Sequence, residues 1–492
     1  MSLVLNVAAV RKAENDAVAS GIAEFELMLS AGRQAADMIN FRYPQAVRFL
    51  ILCGGGNNGG DALVAARFLY KRYHREVVVY SVKPLEALKG CAALAVETLP
   101  DEITVFESTG LERRNIFPGD VIVDGLLGIG FDGGALRPEV KRLIEVVNQS
   151  HCPVVALDLP SGINADTGGV SGDGAVKAQM TVTFGAVKPG LFAREGRALR
   201  GILRLAEIGL PLPENNTEKV FTNIDAVETI VIPEPDCHKN SRGRVLIWGG
   251  CGEYPGAPVL SARGALSGGS GIVRLISCGD CRELAPAAVI VKKILNGSEI
   301  RGEVLPYFGM SDVLVAGCGW GNETPVAALD TVWEFPGKII LDADALNMFS
   351  RHPEKWIKRD NLLITPHPGE AARLAKAFGV EAGDRSEFAE KLAEKLGCVV
   401  LLKGQDSVVA SPDGRKVLVA AGNYQLATAG SGDILAGIIA AQAVELPCFE
   451  AAALGAYIHG AAGELADRVI MADELPELAG KAVEMMRKNF LF

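Results

Sequence analysis

Aromatic residues are scarce in this chain, 6% of 492 positions, whereas 49% of it is hydrophobic and 56 residues are glycine. An apolar chain built on small side chains suits α/β layers packed closely through loops. No basic cluster relieves a formal net charge of -10, which argues against nucleic acid as the main partner. No apolar run reaches the length needed to span a bilayer, so no membrane partner is expected. Met1 to Arg11 shows no basic stretch ahead of an apolar core, and no secretory leader is read there. The ten cysteines are scattered, and the single C-x-x-C, Cys278-Gly279-Asp280-Cys281, has neither a second pair nor a nearby histidine. That argues against a zinc site and suits a reducing compartment. The sequence GxxxxGK[ST] is missing as well, which removes the P-loop nucleotide sites. These absences point to a soluble, cytoplasmic protein, and the length calls for two or three domains.

What is present centres on one stretch near the C-terminus, Asn423-Tyr424-Gln425-Leu426-Ala427-Thr428-Ala429-Gly430-Ser431-Gly432-Asp433. Gly430 and Gly432 free the backbone to curl, so that several N–H groups can point at one anion. The apolar run from Ile434 to Val444 predicts a helix whose positive end adds to that field. Asp433 then stands where a carboxylate can take a proton from a substrate hydroxyl, the arrangement phosphoryl transfer needs. Serine and aspartate also favour plain helix N-caps, so the rest of the chain decides between the two.

In the N-terminal half, Val18, Ile22, Phe25 and Leu29 recur at helical spacing. They predict amphipathic helices over roughly residues 10–39, with Gly21 and Gly32 as punctuation. Val47 to Cys53 reads as a buried strand running into Gly54-Gly55-Gly56-Asn57-Asn58-Gly59-Gly60-Asp61, with a helix from Ala62 to about Tyr73. Strand, glycine loop and helix make the usual phosphate cradle. Further strands end on polar residues: Val121 to Val123 at Asp124, Pro153 to Leu157 at Asp158, and Met180 to Phe184 ahead of Lys188-Pro189-Gly190. The loop after Asp124 contains a GxGxxG match, weak evidence alone for a dinucleotide, and Pro138 opens the next helix. Ligands of open parallel sheets bind outside the carboxyl ends of the strands. Asn57, Asn58, Asp61, Asp124, Asp158 and Ser161 are therefore expected to meet in one crevice. Three carboxylates there need a cation, a proton or strong hydrogen bonds, and without His or Cys an oxygen-liganded ion fits best.

Four strings in order, Gly-Gly-Asn-Asn-Gly-Gly-Asp, Val-Asp-Gly-Leu-Leu-Gly-Ile-Gly, Leu-Asp-Leu-Pro-Ser-Gly and Phe-Gly-Ala-Val-Lys-Pro-Gly, resemble the NAD(P)H-hydrate epimerase (YjeF N-terminal) domain over about residues 5–210. The resemblance implies a Rossmann-like three-layer sandwich that interconverts the R and S forms of hydrated NADH and NADPH. It implies a potassium ion on Asn58, Asp124 and Ser161, and Asp158 as the acid/base. It assigns cofactor binding to Asn57, Asn58, Gly59, Gly60 and Asp61 and to Gly128, Ile129, Gly130, Phe131, Asp132, Gly133 and Gly134. The chain departs at Met28-Leu29-Ser30-Ala31-Gly32, where the family commonly shows Met-Glu-Asn-Ala-Gly, so a polar pair at the pocket rim is replaced. A non-catalytic homologue of this domain serves as a dimerisation module, which is the alternative for this half.

Pro-rich, polar segments at Leu210 to Asn216 and Ile232 to Asp236 frame the join, with domains expected over 1–215 and 216–492. Val220 to Ile232 is apolar enough for a short helix or strand. Beyond it, strands at 244–248, 312–316, 338–341, 361–364 and 398–402 each stop at glycines or polar residues, which converge on one edge. The nest and its aspartate, preceded by the strand end Lys403-Gly404, resemble the ribokinase-like superfamily. Gly-Gly-Cys-Gly-Glu-Tyr-Pro-Gly-Ala, Leu-Asp-Ala-Asp-Ala-Leu-Asn, Thr-Pro-His-Pro-Gly-Glu and Leu-Ala-Thr-Ala-Gly-Ser-Gly-Asp resemble the NAD(P)H-hydrate dehydratase domain over about residues 225–490. A ribokinase-like three-layer sandwich and nucleotide-driven dehydration of the S-hydrate, NADHX or NADPHX, are thereby implied. ADP or ATP phosphorylates the ring hydroxyl, and phosphate, a far better leaving group than hydroxide, departs. Asp433 is implied as the base, with Ala429, Gly430, Ser431 and Gly432 stabilising the phosphoryl group. Lys403, Gly404, Gln405, Asp406 and Ser407 would hold the nucleotide, and Ala257, Gly319 and His367 the hydrate. Mg²⁺ is expected on the nucleotide phosphates, and a homo-oligomer is expected. A kinase for a small alcohol is the alternative; it leaves Thr365-Pro366-His367-Pro368-Gly369-Glu370 without a role.

Overall fold

The computed structural model describes residues 1–213, 218–295, 297, 299–322, 324–381 and 383–488. The chain forms two compact units, Met1–Asn223 and a second that begins at Ile224. The expected join between 215 and 216 lies outside the described residues. The apolar passage after it is both strand and helix, Lys219–Phe221 and Asn223–Thr229. Its strand pairs antiparallel with Ser2–Leu3, Ser2 opposite Val220, which ties it to the first unit.

The sheet of the first unit runs, in spatial order, Thr104–Glu107, Glu76–Ser81, Arg48–Cys53, Asp120–Gly125, Val154–Leu157, Met180–Phe184, Ile202–Ala206. Every pairing is parallel. Both faces are covered, so the central strands are buried along nearly their whole length and read as continuous apolar runs. The chain builds outward from Arg48–Cys53 on one side, then returns to lay Asp120–Gly125 on the other. That reversal of direction parts the loops after these two strands and opens a crevice. The unit is Rossmann-like.

The N-terminal helices are Val7–Ala19 and Glu24–Arg42. Gly21, at φ 101, turns the chain between them. Gly32 is not a break but a buried contact inside the second helix: a Cβ there would lie 2.5 Å from the Val64 Cβ. The helix expected from Ala62 begins five residues earlier, as Asn57–Lys71. Its first turn therefore consists of Asn57 to Gly60, seated directly on the strand end, where a Cβ on Gly59 would come within 2.1 Å of the Gly54 oxygen.

The second unit orders its strands Lys416–Val419, Ser407–Ala410, Val399–Leu402, Leu362–Ile364, Lys338–Leu341, Val313–Ala316, Arg244–Trp248, Ile272–Ser277, Val289–Lys293. The first two pairings in that order are antiparallel and the rest are parallel. Its direction reverses between Arg244–Trp248 and Val313–Ala316, again parting two glycine-rich loops. Trp248 and Trp320 meet edge-on beneath them, ring centroids 5.0 Å apart, and the Trp320 indole donates to the Trp248 carbonyl at 2.9 Å. Helices Gly256–Ser267 and Ser431–Ala443 approach backbone to backbone. A Cβ on Gly437 would stand 1.9 Å from the Ser261 oxygen, and one on Gly264 2.3 Å from that of Ile434. Lys338 donates to the carbonyls of Ala443 and Leu446 at 2.8 and 2.9 Å. It thus caps the far end of the nest helix from the strand that delivers Asp342. This is a mostly parallel α/β unit.

Candidate active sites

The first crevice is a cavity of about 880 Å³, lined among others by Glu14, Met28, Asn57, Asn58, Asp61, Asp158 and Lys188 and by Gly128 to Asp132. Asp158 follows its strand at φ 63, a left-handed conformation unusual for a residue with a side chain. Lys188 is buried and donates to Asp158 Oδ1 at 2.6 Å, to the Phe184 carbonyl at 2.9 Å and to Thr183 Oγ1 at 3.2 Å. The Ile129 amide donates to Oδ2 at 3.2 Å. A buried pair of this kind fixes the carboxylate rigidly, and losing either partner strands a charge. Lys188 is the residue sequence reasoning passed over: it lies inside the Lys-Pro-Gly string, but a lysine after a strand looks solvent-bound until the fold turns it inward. Asp61 is held well above the usual carboxylate range by burial, then by Asp158 and Glu14. Burial likewise raises Glu14, against the pull of Lys188.

Beneath this floor Asp124 accepts the Ser161 hydroxyl at 2.6 Å and the Ser161 and Leu126 amides at 2.9 and 3.2 Å. Burial nevertheless pushes its carboxyl up to about 6. Asn58 spends its amide on the Leu127 and Leu157 carbonyls, 2.8 and 3.2 Å away. Its Oδ1 is buried without a hydrogen-bond partner. An unsatisfied amide oxygen beside an unneutralised carboxylate and a hydroxyl is an oxygen donor set of low charge, which fits a monovalent cation. The predicted residues do not all reach the cavity. Gly59, Gly60, Gly133 and Gly134 are absent from its lining, and Gly60 packs on Met28. Leu29 and Ser30, where the chain departs from the family string, are also off the lining, which that helix supplies through Glu24, Leu27, Met28 and Ala31.

In the second unit Gly430, at φ 89, caps Ser431–Ala443 without any side-chain hydrogen bond; the Ser431 amide donates to the Thr428 carbonyl at 3.3 Å, and those of Gly432 and Asp433 stay available to a ligand. Ser431 Oγ and His459 Nε2 are hydrogen-bonded at 2.9 Å behind the nest, and burial pushes His459 down to about 4. Lys403 donates to Asp342 Oδ1 at 2.7 Å, as does the Thr365 hydroxyl at 2.8 Å. Burial opposes the Lys403 charge, but Asp342 and Glu370 outweigh it and hold the ammonium above its usual range. The ammonium reaches the nest, 3.4 Å from where a Cβ of Gly432 would be. Asp433 is pushed up to about 7, first by burial and then by Asp342, with Lys403 pulling the other way. Cys318, Asp342 and Asp433 bring ligand atoms within 4.8 Å of one another. The two carboxylates suit a hard divalent ion; the Cys318 thiol, raised far above its usual range by burial, does not. Asp342 and Cys318 were legible only as strand-end residues.

The other predicted residues fall into two groups. Ala257 and Gly319 meet across the switch point, where a Cβ on Gly319 would be 3.0 Å from that of Ala257. His367 caps Pro368–Phe378, accepting from the Gly369 amide at 3.0 Å while the Glu370 carboxylate accepts from the His367 amide at 2.8 Å. Gly404 to Ser407 form a turn instead, with Asp406 at φ 52, Arg385 donating to the Gln405 carbonyl at 2.8 Å and Ser407 to that of Gly404 at 3.2 Å.

Residues 24–190 match the family model of the YjeF-related protein N-terminus, and residues 245–483 that of NAD(P)H-hydrate dehydratase. The bifunctional NAD(P)H-hydrate repair enzyme Nnr of Escherichia coli (strain K12) is 35% identical over 465 residues, 93% of this chain and 88% of its own length. That of Coxiella burnetii is 35% identical over 95% of this chain and 96% of its own. The chain belongs to the bifunctional NAD(P)H-hydrate repair enzymes. The repair enzyme carries epimerase and dehydratase activities, and each of its units matches one of the two models. Among solved structures it is similar to a ribokinase-like superfamily protein of Enterococcus faecalis, 23% identical with TM-score 0.49, over 55% of this chain and 96% of that one. The ADP/ATP-dependent NAD(P)H-hydrate dehydratase of Bacillus subtilis, co-crystallized with ATP/Mg²⁺, is 26% identical with TM-score 0.45, over 56% of this chain and all of that one.

Proposed function

We propose that the cavity around Asp158 is the epimerase site and that the nest at Ser431–Ala443 is the dehydratase site. The observation that carries the first is the buried Asp158–Lys188 pair opening onto a cavity large enough for a dinucleotide. Epimerisation at the hydrated ring carbon requires a proton to be moved and the charge that develops to be stabilised. Asp158 is fixed by Lys188 and the Ile129 amide for the first task, and Lys188 supplies positive charge for the second. Asn58, Asp124 and Ser161 would hold potassium; when bound it satisfies the Asn58 oxygen and keeps Asp124 ionised.

In the dehydratase site the terminal phosphoryl group of ADP or ATP is transferred to the ring hydroxyl of S-NADHX or S-NADPHX. Loss of phosphate, with the neighbouring ring proton, restores the double bond. Asp433, poised near neutrality, takes the hydroxyl proton. The amides of Ala429 to Gly432 and the Lys403 ammonium meet the charge on the phosphoryl group. Asp342 would hold a divalent ion, which when bound neutralises the nucleotide phosphates and leaves Asp433 to the hydroxyl. Lys403 through Ser407 hold the nucleotide, and Ala257, Gly319 and His367 contact the hydrate. The same reading puts the enzyme in the cytoplasm; among the described residues no helix is long and apolar enough to cross a membrane.

The two sites separate by mutation. Asp158→Asn is expected to slow R-to-S conversion by about 10²-fold or more while dehydration of the S-hydrate continues. Asp433→Asn is expected to do the reverse. Chromatographic separation of the epimers, with and without nucleotide, checks both. Loss of R-to-S conversion in Asp433→Asn would overturn the assignment.

A further inference from the structure

The first cavity extends well beyond its reactive end. Asp158 and Lys188 stand at the ends of Val154–Leu157 and Met180–Phe184, yet the lining continues past Arg48–Cys53 to Val82 and Lys83, just after Glu76–Ser81. Those strand ends lie three and four places from that of Glu76–Ser81 in the sheet, roughly 14 and 19 Å at about 4.8 Å per strand. In a doubly wound sheet the pyrophosphate of a dinucleotide lies at the N-terminus of the first helix, here Asn57–Lys71. The reactive ring reaches over the strands on one side of the switch, and the adenosine ribose meets the end of the second strand on the other. Because Asp158 and Lys188 fix the ring on one side, the adenosine falls to Val82 and Lys83. Val82 packs against the apolar cluster that contains Leu126, Leu136 and Val140, all three of which line the cavity and provide apolar walls for a purine.

The residue that meets the ribose sets the choice of cofactor. A carboxylate at that strand end accepts the 2′-hydroxyl and repels a 2′-phosphate, whereas a cation favours the phosphate. Here the strand end itself, Ser81-Val82-Lys83, brings no carboxylate, and Glu139, the acidic residue next to Val140 in the lining, already accepts the Ser108 hydroxyl. The Lys83 side chain lies across the glycine loop, with Cε 2.9 Å and Nζ 3.1 Å from where a Cβ of Gly55 would be. Its ammonium is exposed and takes part in no ion pair among the described residues. We propose that Lys83 binds the 2′-phosphate, so that the epimerase domain takes NADPHX in preference to NADHX. The inference rests on the placement of the epimerase site proposed above.

The test follows R-to-S conversion of each hydrate by chromatography, using the full-length chain without nucleotide and subtracting the spontaneous rate. The wild type should show a lower KM for NADPHX. Lys83→Ala should raise that KM about tenfold or more, leave kcat in place and erase the preference over NADHX; Lys83→Arg should restore it. Equal rises in both KM values would put Lys83 on the pyrophosphate and overturn the proposal, as would an unchanged preference. Dehydration of the S-hydrates by the same Lys83→Ala sample reports that the chain is folded. Asp158→Asn tells the two failures apart: if it epimerises normally, the cavity itself is misassigned and the role of Lys83 falls with it. If it does not, an unchanged preference in Lys83→Ala refutes Lys83 alone.

Discussion

At the scale of single residues, charge and burial set the behaviour of both sites. Asp433 must be ionised to accept a proton, and its carboxyl is pushed up to about 7. Nucleotide-dependent dehydration should therefore fall as pH drops through about 7, and removing the Lys403 cation by Lys403→Met should move that acid limb upward. A limb near the ordinary carboxylate value would contradict this. The same shift has a cost in stability. A raised folded-state value means that Asp433 favours the fold below 3.8, where it is protonated in both states, and loses that contribution as pH rises through about 7. Asp433→Asn should thus be inactive yet more stable above pH 7, by on the order of 2 kcal/mol, measured by urea unfolding. In the first site Asp124, pushed up to about 6, and the orphaned Asn58 oxygen both belong to the set proposed to hold potassium. Potassium should raise the melting temperature by about 2–4 °C above pH 6, an effect lost below pH 6 and in Asn58→Ala; scanning fluorimetry checks it. Residues of this kind were unevenly legible. Asp158, Asp433 and Asn58 stand in glycine-flanked strings that announce a site. Lys188 and Asp342 stand in family strings that do not show their roles, and His459 in none, because those roles arise from partners distant in sequence.

At the scale of elements, the small residues carry the argument. The nest helix Ser431–Ala443 can lie where it does only because Gly437 and Gly264 let two helices touch through their backbones. Gly437→Ala puts a methyl 1.9 Å from the Ser261 oxygen and should destabilise the second unit by about 2–3 kcal/mol. Dehydration should fall with it, and R-to-S conversion should survive. Calorimetry with the two assays on one sample checks this. The strands read from the sequence were legible to within a residue or two because parallel, doubly covered strands are plain apolar runs. Strands toward the sheet edges, such as Glu76–Ser81, Thr104–Glu107, Val289–Lys293 and Lys416–Val419, are not among them. Helix starts were less so. Asn57 to Asp61 look like a loop by composition, but packing of Gly59 on Gly54 winds them into the helix. Gly32 looks like a break and is instead a contact.

At the scale of the whole molecule, one chain carries two sheets, each with a reversal point and each with its polar strand ends gathered there. The division of labour follows from the chemistry. Dehydration uses only the S-hydrate, so the R-hydrate must be converted before it can be recovered. The most direct measurement of this account is the near-ultraviolet absorbance of the reduced nicotinamide regained from a mixture of R- and S-NADPHX, followed at early times with Mg²⁺, K⁺ and ADP or ATP. The account predicts complete recovery by the wild-type chain, recovery that stalls near the S fraction in Asp158→Asn, and none in Asp433→Asn. Recovery by the wild type that stalls at the S fraction would contradict an active epimerase in the first unit, and no recovery with either nucleotide would contradict the dehydratase in the second.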